Sequence, residues 1–311
     1  MFNNDFFFLN INIMEEIIDL LKTACAEIST MMRNTDPLSL SKLTNINNNS
    51  GDDVKSLDII SNTILKYHLS KSKYVKIIGS EEDDELYYPE NQYDLRKKYM
   101  VCFDPLDGSS NIDSNITVGT IFAIYDLSES DNNTPLSDIL KNGNSIVCAG
   151  YCLYGSSTQF ILATNTVQVF LLKNQEFKLI HDNLKIKEKG NIYSINESNK
   201  HKWIGDKNQQ FIEKLLDEKY TARWVGSMVT DCHRTLIKGG LFAYPENKKD
   251  PDGKIRLLYE AYPFAYIFKI AGGDSYNGKK NILDIEFPKN IHQKTPIYLG
   301  GTYEINLFKN I

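Results

Sequence analysis

The sequence predicts an α+β fold of layered sheets and helices, and three observations carry that expectation. The chain opens with a helical apolar period, continues through a succession of short strand-like runs, and closes on alternating strand and helix signals. A strict βαβ alternation would read differently, and no internal repeat is visible. At 311 residues with 41% hydrophobic and 24% charged side chains, the chain can bury one large core or two ordinary ones. The expected division is a loosely ordered leader over 1–13, an N-terminal α/β domain over 14–184 and a C-terminal α/β domain over 185–311. The polar run Lys185–Gly190 is the hinge candidate between the two domains.

Residues 1–13 are rich in Asn and Phe without a clear period. From Met14 onward Ile17, Leu20, Leu21, Ala24, Ile28 and Met31 share one helical face. Asn34–Asn49 is polar and contains Pro37, which predicts a loop, with Asn47–Gly51 as its tip. A second helix is expected near Asp53, its apolar face made of Val54, Leu57, Ile60 and Ile64. Asp52 and Asp53 there read as caps, while Asp58 points either to water or into a cleft. Strands are expected at Val75–Ile78, Tyr99–Phe103, Gly119–Tyr125, Ser145–Leu153, Gln159–Ala163, Val167–Leu172 and Glu176–His181. Beyond the hinge come a strand at Asn191–Ile195 and a helix near Gln209–Asp217. A further helix runs from an N-cap at Ser227 to Lys238 and closes on Gly239-Gly240. The last unit is a strand at Ile255–Tyr259 followed by a helix that starts around Pro263 and ends at Gly272-Gly273.

The chemistry concentrates in Val101–Asp113, where a buried strand runs into Asp104-Pro105-Leu106-Asp107-Gly108. Pro and Gly dictate a turn, and carboxylates three apart on it can face one point. Hard divalent cations want oxygen ligands of this kind, with positions left for water and phosphate. Gly108-Ser109-Ser110-Asn111 then supplies hydroxyls and exposed N–H groups able to cradle an anion. The acid run Glu81–Glu85 reads either as a solvated turn or as Glu81 and Glu82 reaching the same cation from a strand's C-terminal end. Glu260 either stabilises a helix dipole or adds another carboxylate. Like carboxylates repel unless a cation neutralises them, which favours the metal reading.

Composition excludes several classes. The net charge is −5 and the Lys pairs at 248–249 and 279–280 are isolated, so nucleic acid is not expected as a partner. No apolar run has membrane-spanning length, and Phe6–Leu9 lacks the basic flank of a signal peptide, so the expected location is the cytoplasm. The five cysteines, at 25, 102, 148, 152 and 232, have no metal-site spacing and read as reduced. His233 beside Asp231 and Cys232 does not read as part of a nucleophilic pair, because adjacent helix positions face different ways.

Asp104-Pro105-Leu106-Asp107-Gly108-Ser109-Ser110-Asn111-Ile112-Asp113 resembles the signature of the magnesium-dependent fructose-1,6-bisphosphatase family. Short segments from about Gly51 to Gly300 are similar to that family as well. The resemblance implies a five-layer α/β/α/β/α sandwich of the sugar phosphatase fold, in two subdomains. It implies two or three Mg²⁺ ions, with Mn²⁺ or Zn²⁺ as substitutes, held by Glu81, Glu82, Asp104, the Leu106 carbonyl, Asp107, Glu260 and Asp52. It further implies hydrolysis of a sugar phosphomonoester, with Glu82, Asp58 and Asp52 handling the attacking water and Asp107, Gly108, Ser109 and Ser110 binding around the reacting phosphate. Asn196, Tyr244, Lys254 and Arg223 would bind the far phosphate, Gly226, Ser227 and Met228 would line the sugar, and Arg256 would add positive charge. Arg223 would reach a neighbouring subunit's site, which implies a homodimer or homotetramer.

Three departures from the family pattern matter. Asn199 stands where a tyrosine commonly binds the far phosphate, and Trp224 replaces another tyrosine. No Thr-Gly-Glu-Leu-Thr loop precedes Met14, and Asp126 stands where an arginine often contacts AMP, although Lys98 and Tyr99 match. Weak or absent AMP inhibition is therefore expected, and the plastid form's regulatory cysteine insertion is missing. Sedoheptulose-1,7-bisphosphatase is the nearest alternative. Asn111-Ile112-Asp113 and Asn196-Glu197 favour the fructose enzyme. An inositol monophosphatase would not need the second anion pocket, and a non-catalytic sugar-phosphate sensor would not need the full carboxylate set.

Overall fold

The computed structural model describes residues 3–36, 43–47, 53–90, 94, 96–128 and 135–311. A long helix α1 (Asn3–Asn34) and helix α2 (Ser56–Ser70) flank a small hairpin of β1 (Leu43–Asn47) and β2 (Asp53–Lys55). A seven-stranded sheet follows in sequence order: β3 (Val75–Ser80), β4 (Tyr99–Asp107), β5 (Val118–Asp126), β6 (Ile146–Tyr154), β7 (Thr158–Ala163), β8 (Val167–Lys173) and β9 (Glu176–His181). Only β3 and β4 pair parallel, and every later neighbour is antiparallel.

The second half adds β10 (Ile192–Ser194), α3 (Lys207–Asp217), β11 (Thr221–Ala222), α4 (Met228–Lys238) and β12 (Leu241–Tyr244). It continues with β13 (Ile255–Arg256), α5 (Tyr262–Ala271), β14 (Asp274–Tyr276), β15 (Lys294–Thr295), β16 (Ile297–Gly300) and α6 (Thr302–Lys309). The order β11-β10-β12-β16-β14 makes a five-stranded sheet, and β13 pairs with β15.

Strand alternation explains the layers. On β4 and β5, Tyr99, Val101, Phe103, Phe122 and Ile124 pack with Ile17, Leu21, Ile28, Leu57 and Leu65 of α1 and α2. Their neighbours Met100, Cys102, Ile121, Ala123 and Tyr125 face the opposite way, into a core with Leu236 of α4, Phe264 and Phe268 of α5, and Phe242 and Leu299 of the second sheet. Leu241, Ala243 and Tyr298 turn outward to Phe211 of α3 and Phe308 of α6. The result is the α/β/α/β/α sandwich, its central helices buried on both sides.

Several local expectations are corrected. The helix begins at Asn3 rather than Met14, so most of the expected leader carries helical backbone, with no Pro or Gly to stop the turn. The loop expected over 34–49 contains β1, and the second helix begins at Ser56, because Asp53–Lys55 pairs as β2. On α2 the buried face is Leu57, Ser61, Leu65 and Leu69 with Asp58, whereas Ile60 is 39% exposed. At the hinge candidate, Ile186 is buried with its N–H on Ala271 O, and the Gly190 N–H donates to Glu304. The strand expected at Ile255–Tyr259 stops at Arg256, and Leu257–Ala261 forms a π-helical turn ahead of α5. All five cysteines are free and buried.

Candidate active site

The site is a cleft of about 420 Å³ at the C-terminal end of β4, closed on its far side by the second half. Pro105 cannot donate to a strand ladder, and β4 bulges there: Asp104 pairs with Ile121 and Asp107 with Gly119. The bulge turns Asp104 inward, and its Oδ1 accepts the Leu106 N–H at 2.9 Å. Glu81 follows β3, its N–H bonded to Phe103 O of the adjacent strand. Glu260 lies in the π-helical turn, and its Oε2 accepts the Arg256 N–H at 2.6 Å. A carboxylate oxygen from each of Glu81, Asp104 and Glu260 lies within 4.8 Å of the others.

Burial pushes the Glu81 carboxyl up to about 7, with Arg256 opposing and Asp107 and Asp58 adding repulsion. Burial, then the neighbouring acids Glu81 and Asp107, push Asp104 and Glu260 well above the usual carboxylate range. The near cationic group is Arg256, 3.8 Å from Glu81. An all-oxygen, buried set of acids that resist ionising together fits a hard divalent cation.

Asp107 stands beside this cluster, close enough to repel both Glu81 and Glu260. It lines the cleft, but its Oδ2 accepts the Ser227 Oγ–H at 3.1 Å and the Val229 N–H at 2.7 Å. Ser227 is thereby drawn from the side-chain capping expected of it, and α4 begins against Asp107 instead. Those bonds restrain a carboxyl that burial still raises to about 6. Gly108 turns the chain at φ +80, where a Cβ would come within 2.6 Å of Ser227 Oγ. The first bond of the next turn is Asn111 N–H to Gly108 O, so the N–H groups of Ser109 and Ser110 precede it and remain for a ligand.

Asp58 and Glu82 line the same cleft, with Leu106, Gly226, Met228, Tyr244, Lys254 and Arg256. Asp52 lies outside the described residues. Three expected residues do not line the cleft. Ser227 acts through Asp107, as described. Asn196 caps a short turn by accepting the Ser198 N–H, and with Asn199 and Tyr244 it borders a smaller adjoining pocket. Arg223 is exposed, its guanidinium on Ala222 O. The loop carrying it is fixed by Asp231, whose carboxylate accepts the Val225 and Gly226 N–H groups. His233 is held by Tyr151 in the core, where burial lowers it to about 4.

The residue reading missed the cleft's apolar wall. Trp224 stacks on Phe242 with ring centroids 6.4 Å apart and tilts against Tyr244 at 6.2 Å, and Ile255 completes the lining. Period-2 alternation held the signal, since Phe242 shares a strand face with Tyr244.

Comparison with known proteins gives a consistent result. A family model described as Fructose-1-6-bisphosphatase, N-terminal domain, matches residues 7–183, and one described as the C-terminal domain matches 186–311. A class 1 fructose-1,6-bisphosphatase of Sulfurihydrogenibium sp. is 50% identical over 267 residues, covering 85% of this chain and 80% of the relative. A cytosolic fructose-1,6-bisphosphatase of Brassica napus is 45% identical over 270 residues, covering 84% and 78%. The holo crystal structure of the Leishmania major fructose-1,6-bisphosphatase superposes with a TM-score of 0.88 at 36% identity, covering 95% of this chain and 93% of that one.

Proposed function

The chain belongs to the fructose-1,6-bisphosphatase family and hydrolyses fructose 1,6-bisphosphate to fructose 6-phosphate and phosphate, and from that premise we propose how its residues divide the work. This is the phosphoric monoester hydrolase step of gluconeogenesis. One observation carries the assignment of roles: the acid cluster, the Ser109-Ser110 turn and the Lys254 and Arg256 cations border one cleft.

The family is dependent on divalent cations, and Glu81, Asp104 and Glu260, with the Leu106 carbonyl, would hold them. Mg²⁺ is the proposed ion, with Mn²⁺ or Zn²⁺ able to substitute. When bound, the ions supply Lewis-acid stabilisation of phosphoryl charge and acidify water. Glu82, with Asp58 beside it, orients the attacking water and takes its proton. The Ser109 and Ser110 hydroxyls and N–H groups hold the phosphate being cleaved.

Lys254 and Tyr244 receive the far phosphate, with Asn196 at the edge of the adjoining pocket. Trp224 and Phe242 wall the sugar, with Gly226 and Met228 beside them. Arg223 serves a neighbouring copy in a dimer or tetramer, a role supported by its exposure and its place outside its own cleft. A cytoplasmic location is supported by the plant relative's printed name, and no described helix is long and apolar enough to cross a membrane.

The test is phosphate release on fructose 1,6-bisphosphate, sedoheptulose 1,7-bisphosphate and inositol 1-phosphate, with and without chelator. The assignment expects the fructose ester to lead and chelator to abolish the rate. Release that survives chelation would contradict the metal roles, and preference for inositol 1-phosphate would contradict the far-phosphate pocket.

A further inference from the structure

We propose that His292 is a positioning residue that locks together the two backbone segments carrying Glu81 and Glu260. The proposal rests on the reading that these carboxylates hold the cation. They come from distant stretches: a turn after β3 and the π-helical turn before α5. The His292 ring lies between those stretches. Its Nδ1 is 2.7 Å from Tyr259 Oη, and its Nε2 is 3.1 Å from the carbonyl oxygen of Asp83.

A carbonyl only accepts, so Nε2 carries the proton and Nδ1 accepts from the Tyr259 hydroxyl. Both ring nitrogens are thus committed in a single tautomer. Tyr259 is buried and directly precedes Glu260, while Asp83 follows Glu81 and Glu82. The Asp83 side chain is already bound to Asn62 and Lys66 of α2, which leaves its carbonyl for His292.

The histidine is itself fixed. Its backbone N–H donates to Asn290 Oδ1, and Gln293 O, next in the chain, accepts the Leu257 N–H that opens the π-helical turn. One short segment therefore holds the start and the middle of the Glu260 turn and the acid turn opposite. Outer partners of this kind set carboxylate spacing and typically change metal affinity about 10- to 100-fold when lost.

The experiment is Mn²⁺ binding to the full, chelator-stripped chain, read as free Mn²⁺ by electron paramagnetic resonance. His292→Phe is expected to weaken Mn²⁺ binding about tenfold or more. It should move the Mg²⁺ activation midpoint by the same factor and leave KM for fructose 1,6-bisphosphate at saturating cation within about twofold of wild type. His292→Gln, which retains a donor for the Asp83 carbonyl, should recover part of the affinity. Tyr259→Phe should weaken binding, and the double variant Tyr259→Phe/His292→Phe should be no worse than His292→Phe alone.

Unchanged Mn²⁺ affinity in a folded His292→Phe, or additive losses in the double variant, would overturn the proposal while leaving the metal reading intact. If His292→Phe does not fold, unchanged affinity in Tyr259→Phe overturns it. Failure of the wild-type chain to bind Mn²⁺ would overturn the metal reading and this proposal with it.

Discussion

The two walls of the cleft are built from opposite materials. The wall supplied by β3, β4 and the π-helical turn gathers Glu81, Asp104 and Glu260, whose charges are crowded and raised in pKa. The facing wall, from β12, the loop after β11 and the approach to β13, presents Lys254, Tyr244 and the stacked Trp224 and Phe242. Acids held at this cost in repulsion make sense only against a cation, and an exposed lysine beside aromatic rings only against an anion on an apolar body. The difference matches the proposed roles, in which one end of the ligand is presented through metal and the other is bound directly.

Breaking the acidic wall carries the largest expected effect. Asp104→Asn should lower kcat/KM by about 10³-fold or more, since several kcal/mol of charge stabilisation depend on the cation. The same change should raise the urea midpoint of the chelated protein at pH 8, because it removes a buried charge with like neighbours.

The acidic wall also fixes a pH signature. Glu81 is raised from 4.5 to about 7 and Asp107 from 3.8 to about 6. Groups raised on folding contribute stability in full below their unfolded pKa, and that contribution is lost as pH rises through the folded pKa. The metal-free chain should therefore lose stability between about pH 3.8 and pH 7 from these groups, while stabilisation by added Mn²⁺ grows over the same range. Urea midpoints with and without Mn²⁺ at pH 5.5 and pH 8 check this. A Mn²⁺ increment that shrinks with rising pH would contradict it.

The cationic wall should respond in KM. On the proposed role of Lys254 at the far phosphate, Lys254→Ala removes a charged contact worth about 1.5–3 kcal/mol, so KM should rise about tenfold or more with Mn²⁺ affinity unchanged. Trp224→Ala removes ring contacts worth about 0.5–1.5 kcal/mol, a rise of a few-fold. The smallest effect is near null: micromolar AMP should inhibit weakly or not at all, since an acid, Asp126, stands where the family often has an AMP-contacting arginine.

Much of this was legible from residues alone. Apolar runs gave the strands of the large sheet to within a residue or two except β4, which runs four residues past the expected Phe103: Asp104–Asp107 is a bulged strand end, and the turn begins only at Gly108. Glu260 was found, but its π-helical turn was not, because Leu257–Tyr259 is apolar enough to pass for strand and only the His292 segment decides otherwise. The bond from Asp107 to the start of α4 was not legible, because spacing cannot tell which carboxylate a distant helix N-terminus will engage. Phe242 and His292 stayed silent since their partners lie far away in sequence, at Trp224 and Asp83.

The most direct test of the divided cleft is an anomalous-difference map from crystals soaked in Mn²⁺. The account predicts density at coordination distance from the carboxylates of Glu81, Asp104 and Glu260, with Asp107 Oδ2 still bonded to Val229. Density beside Lys254, or none between the three acids, would contradict it.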